Sequence, residues 1–454
     1  MPRKRISTRP RTGTKYFARL NLLAAGIATF VAPIAQAAAG DPLGTAFTID
    51  SADTYLVDTP YLACAPDGSF VVAWTRYDYS SDSAYRFQAY LRRYAADGSP
   101  LGEAQALAAT GADADADVWA EGVAIDAQHR AVVTLQRRTD GPWSHRYQQQ
   151  FRMIGADGTL GKTVDVGAPI SPVLGDFSTL SVAMDADGDF VLGERSKRPF
   201  ALLPTFYYGT FDAAALTNTY VERRHSDGTR KGATTLVDVT AVTPYRKFNG
   251  NSDQPAVAID DTGDFLVVYT DRQSASSERP QLLARRYSAA GLPSGRAQTL
   301  RSAPELYSYT DVTAAVGANG YSWVGFKARH WPATDTDVYT AELMQLDASG
   351  AATDVSFALG QADLVNQLGG PVLAADPTGA AVAAWSQQGQ IQLKFFSAAG
   401  AATATRTATS TYDWTGATTT DYRSFDVAAD GQGNPVLVWL DVDHTLKGQR
   451  YFGH

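Results

Sequence analysis

Apolar runs alternate with short Asp/Gly turns along this chain, and the alternation has a long period. Tyr61–Trp74 reads YLACAPDGSFVVAW, and the same order returns at Val123, Val182, Val257, Thr313, Val372 and Val427. Each copy is an apolar run, a tight turn and a second apolar run ending on a large residue. The pattern is plainest in Val257–Tyr269 (VAIDDTGDFLVVY), Val372–Trp385 (VLAADPTGAAVAAW) and Val427–Trp439 (VAADGQGNPVLVW). A second motif alternates with it, as in Gln88–Gly102 (QAYLRRYAADGSPLG) and Leu283–Gly295 (LARRYSAAGLPSG). Weaker copies of that motif stand at Gln149–Gly161 and Tyr220–Gly232, and fainter ones at Glu342–Gly350 and Ile391–Gly400. β-Branched and aromatic residues around a Gly-containing turn predict antiparallel hairpins, and Asp before the Gly is a usual turn-former. Two hairpins per repeat give four antiparallel strands, here called a to d.

The large residues ending strand b fall at Trp74, Leu135, Glu194, Tyr269, Phe326, Trp385 and Trp439, about 61 residues apart. Glu194 departs from the pattern. A four-stranded unit repeated seven times predicts an all-β fold, a seven-bladed β-propeller, because radial repetition covers the sheet faces and leaves only short edges. The ends agree. The last repeat stops at Lys447–His454 (KGQRYFGH), which matches strand c, and has no strand d. Asp41–Ile49 (DPLGTAFTI) matches the strand-d text SPLGEAQAL beginning at Ser99. The N-terminal strand is therefore expected to complete the last blade and close the ring.

These repeats resemble the bacterial secreted and surface β-propeller repeats that read A-x-D-x-x-G-x-x-V-V-x-W followed by R-F/Y-x-x-x-G-x-x-x-G. The resemblance spans nearly all of residues 41–454 and implies the fold. It implies no reaction, because turn glycines, strand hydrophobics and packing aromatics are structural.

Residues 1–19 carry seven Lys/Arg and no acid, an uncharged stretch Leu20–Ala35 follows, and Ala35-Gln36-Ala37 ends it. This is the layout of a secretory signal. The expected division is a signal over 1–39 and one propeller domain over 40–454, exported to the periplasm or the cell exterior, monomeric, and with no later membrane span. Removing seven cations from the 39 in the chain leaves 32 against 47 acids, a net charge of −15. Such a chain repels a nucleic-acid backbone. Its lone cysteine, Cys64, lies in an apolar strand and reads as a small buried hydrophobe.

Strand alternation puts the a–b and c–d turns on one face and the longer, irregular b–c and d–a connections on the other, where binding loops are expected. Trp74, Trp323, Trp385 and Trp439 fall in strand b and read as blade packing. Trp119, Trp143, Trp331 and Trp414 fall in the irregular connections, with Tyr77, Tyr79, Tyr207, Tyr208, Tyr309 and Tyr422. Exposed aromatics there would suit sugar rings or partner side chains; buried, they would only pack the loops. Arg76, Arg137, Arg138, Arg195, Arg198, Arg272, Lys327 and Arg329 follow strand b closely. They would bind carboxylate or sulfate or pair with loop acids such as Asp58, Asp78, Asp140, Asp253, Asp271 and Asp311. His145, His330 and His444 lie on the same face but on separated blades and form no H-x-H or H-x-x-x-H pair, a poor pattern for a metal. His330-Trp331 and Trp143-Ser144-His145 could pair an acid/base with a sugar platform. Asp185-Ala-Asp187-Gly-Asp189 has the start of a calcium loop but lacks the downstream Glu and coincides with the repeated turn. Asp113, Asp115 and Asp117 form a second, weak calcium pattern. No cofactor is otherwise implied.

Three functions fit. The leading one is a non-enzymatic propeller that binds a glycan, acidic glycans included, or a protein through Arg76, Tyr77, Arg137, Trp143, His145, Arg195, Arg272, Arg329, His330, Trp331 and Trp414. The second is a glycan hydrolase, which needs two converging carboxylates, or a lyase using the same face. The third is an envelope scaffold.

Overall fold

The computed structural model describes residues 37–51, 55–78, 86–107, 116–140, 145–170, 179–196, 218–237, 255–272, 280–302, 306–317, 319–330, 338–363, 368–410 and 424–453. Strands are numbered β1–β28 in chain order. They form seven four-stranded antiparallel sheets, and no helix occurs among the described residues. The protein is a seven-bladed β-propeller. Its innermost strands are β2 (Tyr55–Cys64), β6 (Asp117–Ile125), β10 (Thr179–Met184), β14 (Ala256–Ile259), β18 (Leu306–Val316), β22 (Leu368–Ala375) and β26 (Phe425–Ala429). Each packs on the next around the axis, and β26 packs on β2 to close the circle.

The closure follows the expectation from the ends. β1 (Phe47–Asp50) is the outer strand of blade 7 and pairs antiparallel with β28 (Leu446–Arg450). Backbone bonds extend this pairing, from Gly40 N to the Phe452 carbonyl at 2.7 Å and from Leu43 N to the Arg450 carbonyl at 2.8 Å.

Strand b reads as a continuous apolar run because both of its faces are covered. In β27 (Pro435–Leu440) every residue is buried. Val436, Val438 and Leu440 pack toward blade 1, while Leu437 and Trp439 pack toward blade 6. Hydrophobic clusters of this kind fill all seven blade junctions. Trp74, Trp323 and Trp385 are fully buried within them, which assigns the strand-b tryptophans to packing. Cys64 also sits at a junction, between blades 7 and 1, where burial pushes its thiol well above the ordinary range. Some outer strands are short, as in β5 (Gln105–Ala106) and β25 (Arg406–Ser410), whereas β9 (Leu160–Ile170) and β21 (Ala352–Ala362) run eleven residues.

The repeated Asp builds the a–b turn. Asp376 Oδ1 accepts bonds from Thr378 N, Thr378 Oγ1 and Ala380 N at 2.8, 2.6 and 3.1 Å. Gly379 then takes φ +87°, a conformation that only glycine adopts without strain. In blade 2 the same place is held by His129 at φ +64°, and its Nε2 lies 2.9 Å from Asp67 Oδ2 of blade 1.

Neighbouring turns touch in this way on one face. Gly431 N donates to the Pro66 carbonyl, Ala127 N to the Ala186 carbonyl, and Asn319 Nδ2 to the Thr378 carbonyl. A Cβ added at Gly317 would stand 2.4 Å from Gly379 Cα. Gly317→Ala must therefore move one turn backbone away from the other. The expected loss is about 2 kcal/mol of stability, read as a lower urea midpoint; an unchanged midpoint would show that these touching turns, the collar of this face, yield freely.

Candidate functional site

The b–c and d–a connections define the opposite face, and most of their residues lie outside the described set. So do Trp143, Trp331, Trp414, Tyr79, Tyr207, Tyr208, Tyr422 and Arg198. His145 opens β8 (His145–Ile154) and Arg272 closes β15 (Phe265–Arg272), but their side chains are likewise undescribed. What can be built is the floor of this face, where strand b ends and strand a begins.

At the junction of blades 1 and 2 that floor carries a row of four half-buried rings. Tyr77, near the end of β3 (Phe70–Asp78), lies 4.7 Å from Phe87 in β4 (Arg86–Tyr94). Phe87 lies 4.6 Å from Trp119 in β6, and Trp119 lies 6.4 Å from Tyr147 in β8. Successive rings are tilted by 35–39°. The Arg138 guanidinium stands 5.7 Å from the Trp119 ring and forms an ion pair with Asp117. Asp117 Oδ1 also accepts the Phe87 N–H at 3.0 Å, joining the two blades beneath the row. Trp119 thus belongs to an inner strand, not to a loop as the sequence suggested. Tyr309 is likewise in a strand, β18, fully buried edge-on against Phe326. Phe87 and Tyr147 were not singled out from the sequence, because each sits in a strand c that reads as ordinary hairpin.

The described cations of this face are engaged within the protein. Arg76 makes a two-pronged ion pair with Asp50, with Nε–Oδ2 and Nη2–Oδ1 both 2.8 Å, and lies 4.0 Å over the Tyr90 ring. Lys327, deeply buried, pairs with Asp311 at 2.7 Å and reaches the Leu368 carbonyl at 3.4 Å. Arg195 Nη1 donates to Thr270 Oγ1 at 3.3 Å. Arg329 lies 5.9 Å from the Tyr339 ring centre, and Arg137 is half-buried at the end of β7 (Ala131–Asp140). His330 Nε2 meets Thr340 Oγ1 at 2.9 Å, and Thr340 donates in turn to Glu342. These residues belong to blades 1, 2, 3 and 5, so the structure does not gather them into one cluster.

Two carboxylates, Glu121 and Glu194, lie within electrostatic reach of each other between blades 2 and 3. Glu121 is the extra residue of a bulge in β6, where Ala120 faces Leu135 and Gly122 faces Thr134. It accepts a bond from Gln149 Nε2 at 3.4 Å and one from the Leu180 N–H. Glu194 of β11 (Phe190–Ser196) faces Leu180 across the sheet and is buried where most other blades carry an aromatic. Burial pushes the Glu121 carboxyl up, the Gln149 and Leu180 bonds pull it part of the way back, and the Glu194 charge adds a smaller push, which leaves it at about 8.

The Asp185 loop is a turn in the structure. Asp185 Oδ1 accepts the Asp187 and Asp189 N–H groups at 3.1 and 2.9 Å, and Asp189 pairs with Lys231 at 2.5 Å. Asp117 is taken by Arg138, while Asp113 and Asp115 lie outside the described residues. Among the described residues no three metal-ligating side chains converge. On the turn face, a cavity of about 180 Å³ lined by Asp67, Arg93, Leu101, Ile125 and His129 lies beside the collar.

No family model matches this chain, and no curated protein matches it. Solved structures similar to it include a protein of unknown function from Dyadobacter fermentans, at 11% identity and TM-score 0.45, covering 90% of this chain and 98% of that one. The GH93 α-L-arabinofuranosidase of Fusarium graminearum with arabinobiose matches at 11% identity and TM-score 0.44, over 90% and 98%. An oligogalacturonate lyase in complex with manganese matches at 11% identity and TM-score 0.43, over 91% and 98%.

Proposed function

We propose that this propeller is a non-enzymatic glycan-binding protein whose sugar platform is the row Tyr77–Phe87–Trp119–Tyr147. One observation carries the reading. Four partly exposed rings from two blades lie side by side on the face of the irregular loops. Aromatic faces with polar edges suit the apolar faces of pyranose or furanose rings. The Arg138 guanidinium beside the row, 26% exposed, offers donors for sugar hydroxyls. The engagement of Arg76, Lys327 and Arg138 by carboxylates favours a neutral sugar over a polyanion. The Glu121–Glu194 pair does not favour hydrolysis, because Glu194 is only 5% exposed and thus poorly placed to reach a sugar.

The test is a glycan array of neutral and acidic polymers, followed by titration of the best hit. Trp119→Ala is expected to weaken binding about 30-fold, the loss of a central aromatic contact worth ~2 kcal/mol. Far-ultraviolet circular dichroism should show the fold retained. Unchanged affinity in a folded Trp119→Ala protein would remove the row from the site. An array blank for sugars would pass the reading to a protein partner or a scaffold.

A further inference from the structure

Two successive Ala-x-Ala patterns, Ala35-Gln36-Ala37 and Ala37-Ala38-Ala39, satisfy a signal peptidase equally well in sequence. The fold separates them. The compact unit begins at Ala38. Ala37 and Ala38 are exposed, whereas Ala39 is half-buried against the cluster between blades 6 and 7 and Gly40 is buried. Residues 38–41 form a turn in which Asp41 N donates to the Ala38 carbonyl at 2.8 Å and Gly40 N bonds the Phe452 carbonyl. The Ala38 nitrogen donates to Asp41 Oδ2 at 2.7 Å. The other oxygen, Asp41 Oδ1, holds Arg406 of blade 6 at 2.5 Å.

We propose that the chain is processed between Ala37 and Ala38, and that the new α-ammonium of Ala38 completes a three-charge clasp with Asp41 and Arg406. Hydrolysis adds water across the Ala37–Ala38 amide. The C–N bond breaks, Ala37 leaves as a carboxylate, and the Ala38 nitrogen keeps its place while taking up the protons that make it an ammonium. A neutral amide donor to Asp41 is thereby replaced by a cation, which strengthens the bond. Cleavage after Ala39 would instead discard the Ala38 carbonyl that Asp41 N uses and the Ala39 methyl that packs on the blade. The Ala38 N–H bond and, after it, the Arg406 guanidinium already hold the Asp41 carboxyl below the usual carboxylate range, so it is ionised when the ammonium forms.

The experiment is expression of the full chain in an exporting bacterial host and intact mass measurement of the recovered protein. A chain beginning at Ala38 is the expected result; a start at Gly40, or a retained leader, overturns the proposal. The clasp has its own readout, titration of the α-amine by nuclear magnetic resonance. In the exported protein its pKa is expected above the ordinary value of ~7.7–8.0, and Asp41→Asn should return it to that value. An ordinary titration in the unaltered protein would refute the clasp, whatever the mass.

Discussion

Asp50→Ala is expected to lower the stability of the propeller by about 3–5 kcal/mol, with the damage at the ring closure. Asp50 ends β1, the strand that the N-terminus lends to blade 7, but its carboxylate is used by blade 1. Oδ2 accepts the Trp74 indole N–H at 2.7 Å and Arg76 Nε at 2.8 Å, and Oδ1 accepts Arg76 Nη2 at 2.8 Å. Its side chain is 6% exposed and that of Arg76 23%. Removing the acid takes the carboxylate from a charged donor and an indole donor that are largely shielded from water. The cost comes from the groups left behind more than from the lost attraction. Asp50→Asn keeps an acceptor for Trp74 and should cost less. Arg76→Met with Asp50→Ala should recover part of the loss, because the stranded charge is gone. Urea unfolding of the unaltered protein, these three variants and Arg76→Met alone measures this. A loss below 1 kcal/mol for Asp50→Ala, or additive losses in the double variant, would mean that the closure is held by the β1–β28 backbone ladder alone.

The Asp50 contact with Trp74 and Arg76 is of a kind that local sequence pattern does not specify. The Asp/Gly turns are legible because they are local: one carboxylate, two backbone N–H groups, a hydroxyl and a glycine within five residues. Strand b was legible because covering both faces demands an unbroken apolar run. The N-terminal strand was legible because its text repeats that of Ser99–Leu107. Asp50 was not, since its partners lie more than twenty residues away on a different blade and no pattern specifies which strand-d residue meets which strand-b residue. The aromatic row was only half legible. Tyr77 and Trp119 stood out, but Trp119 was assigned to a loop because the alternating acids before it look like a connection. Phe87 and Tyr147 become neighbours of Trp119 only when blades 1 and 2 pack. Glu194 announced itself by breaking the repeat. Glu121 could not, because a bulge residue escapes the period-two pattern on which strand reading depends.

Glu121→Gln is expected to make the protein more stable at alkaline pH while changing it little in mild acid. Glutamate ordinarily titrates near 4.5; in the fold, burial and the neighbouring Glu194 charge raise Glu121 to about 8. Between those values the folded protein holds a proton that the unfolded chain has released. The folded state is then favoured by acid: the contribution is complete below the unfolded value and is lost as pH rises through the folded one. The full difference has a ceiling of roughly 5 kcal/mol, lowered to about 3 because Glu121 keeps part of its surface in solvent. Glutamine preserves the shape, can still accept the Leu180 N–H, and carries no charge to oppose Glu194. Other carboxylates, such as Asp67 and Asp189, sit below their ordinary range and weaken the fold in acid, so neither protein has a simple curve. The informative quantity is the difference between the two midpoints, measured from pH 5 to pH 9. It should widen steadily in favour of the variant as pH rises. A constant difference would place the carboxyl at an ordinary pKa and overturn the prediction.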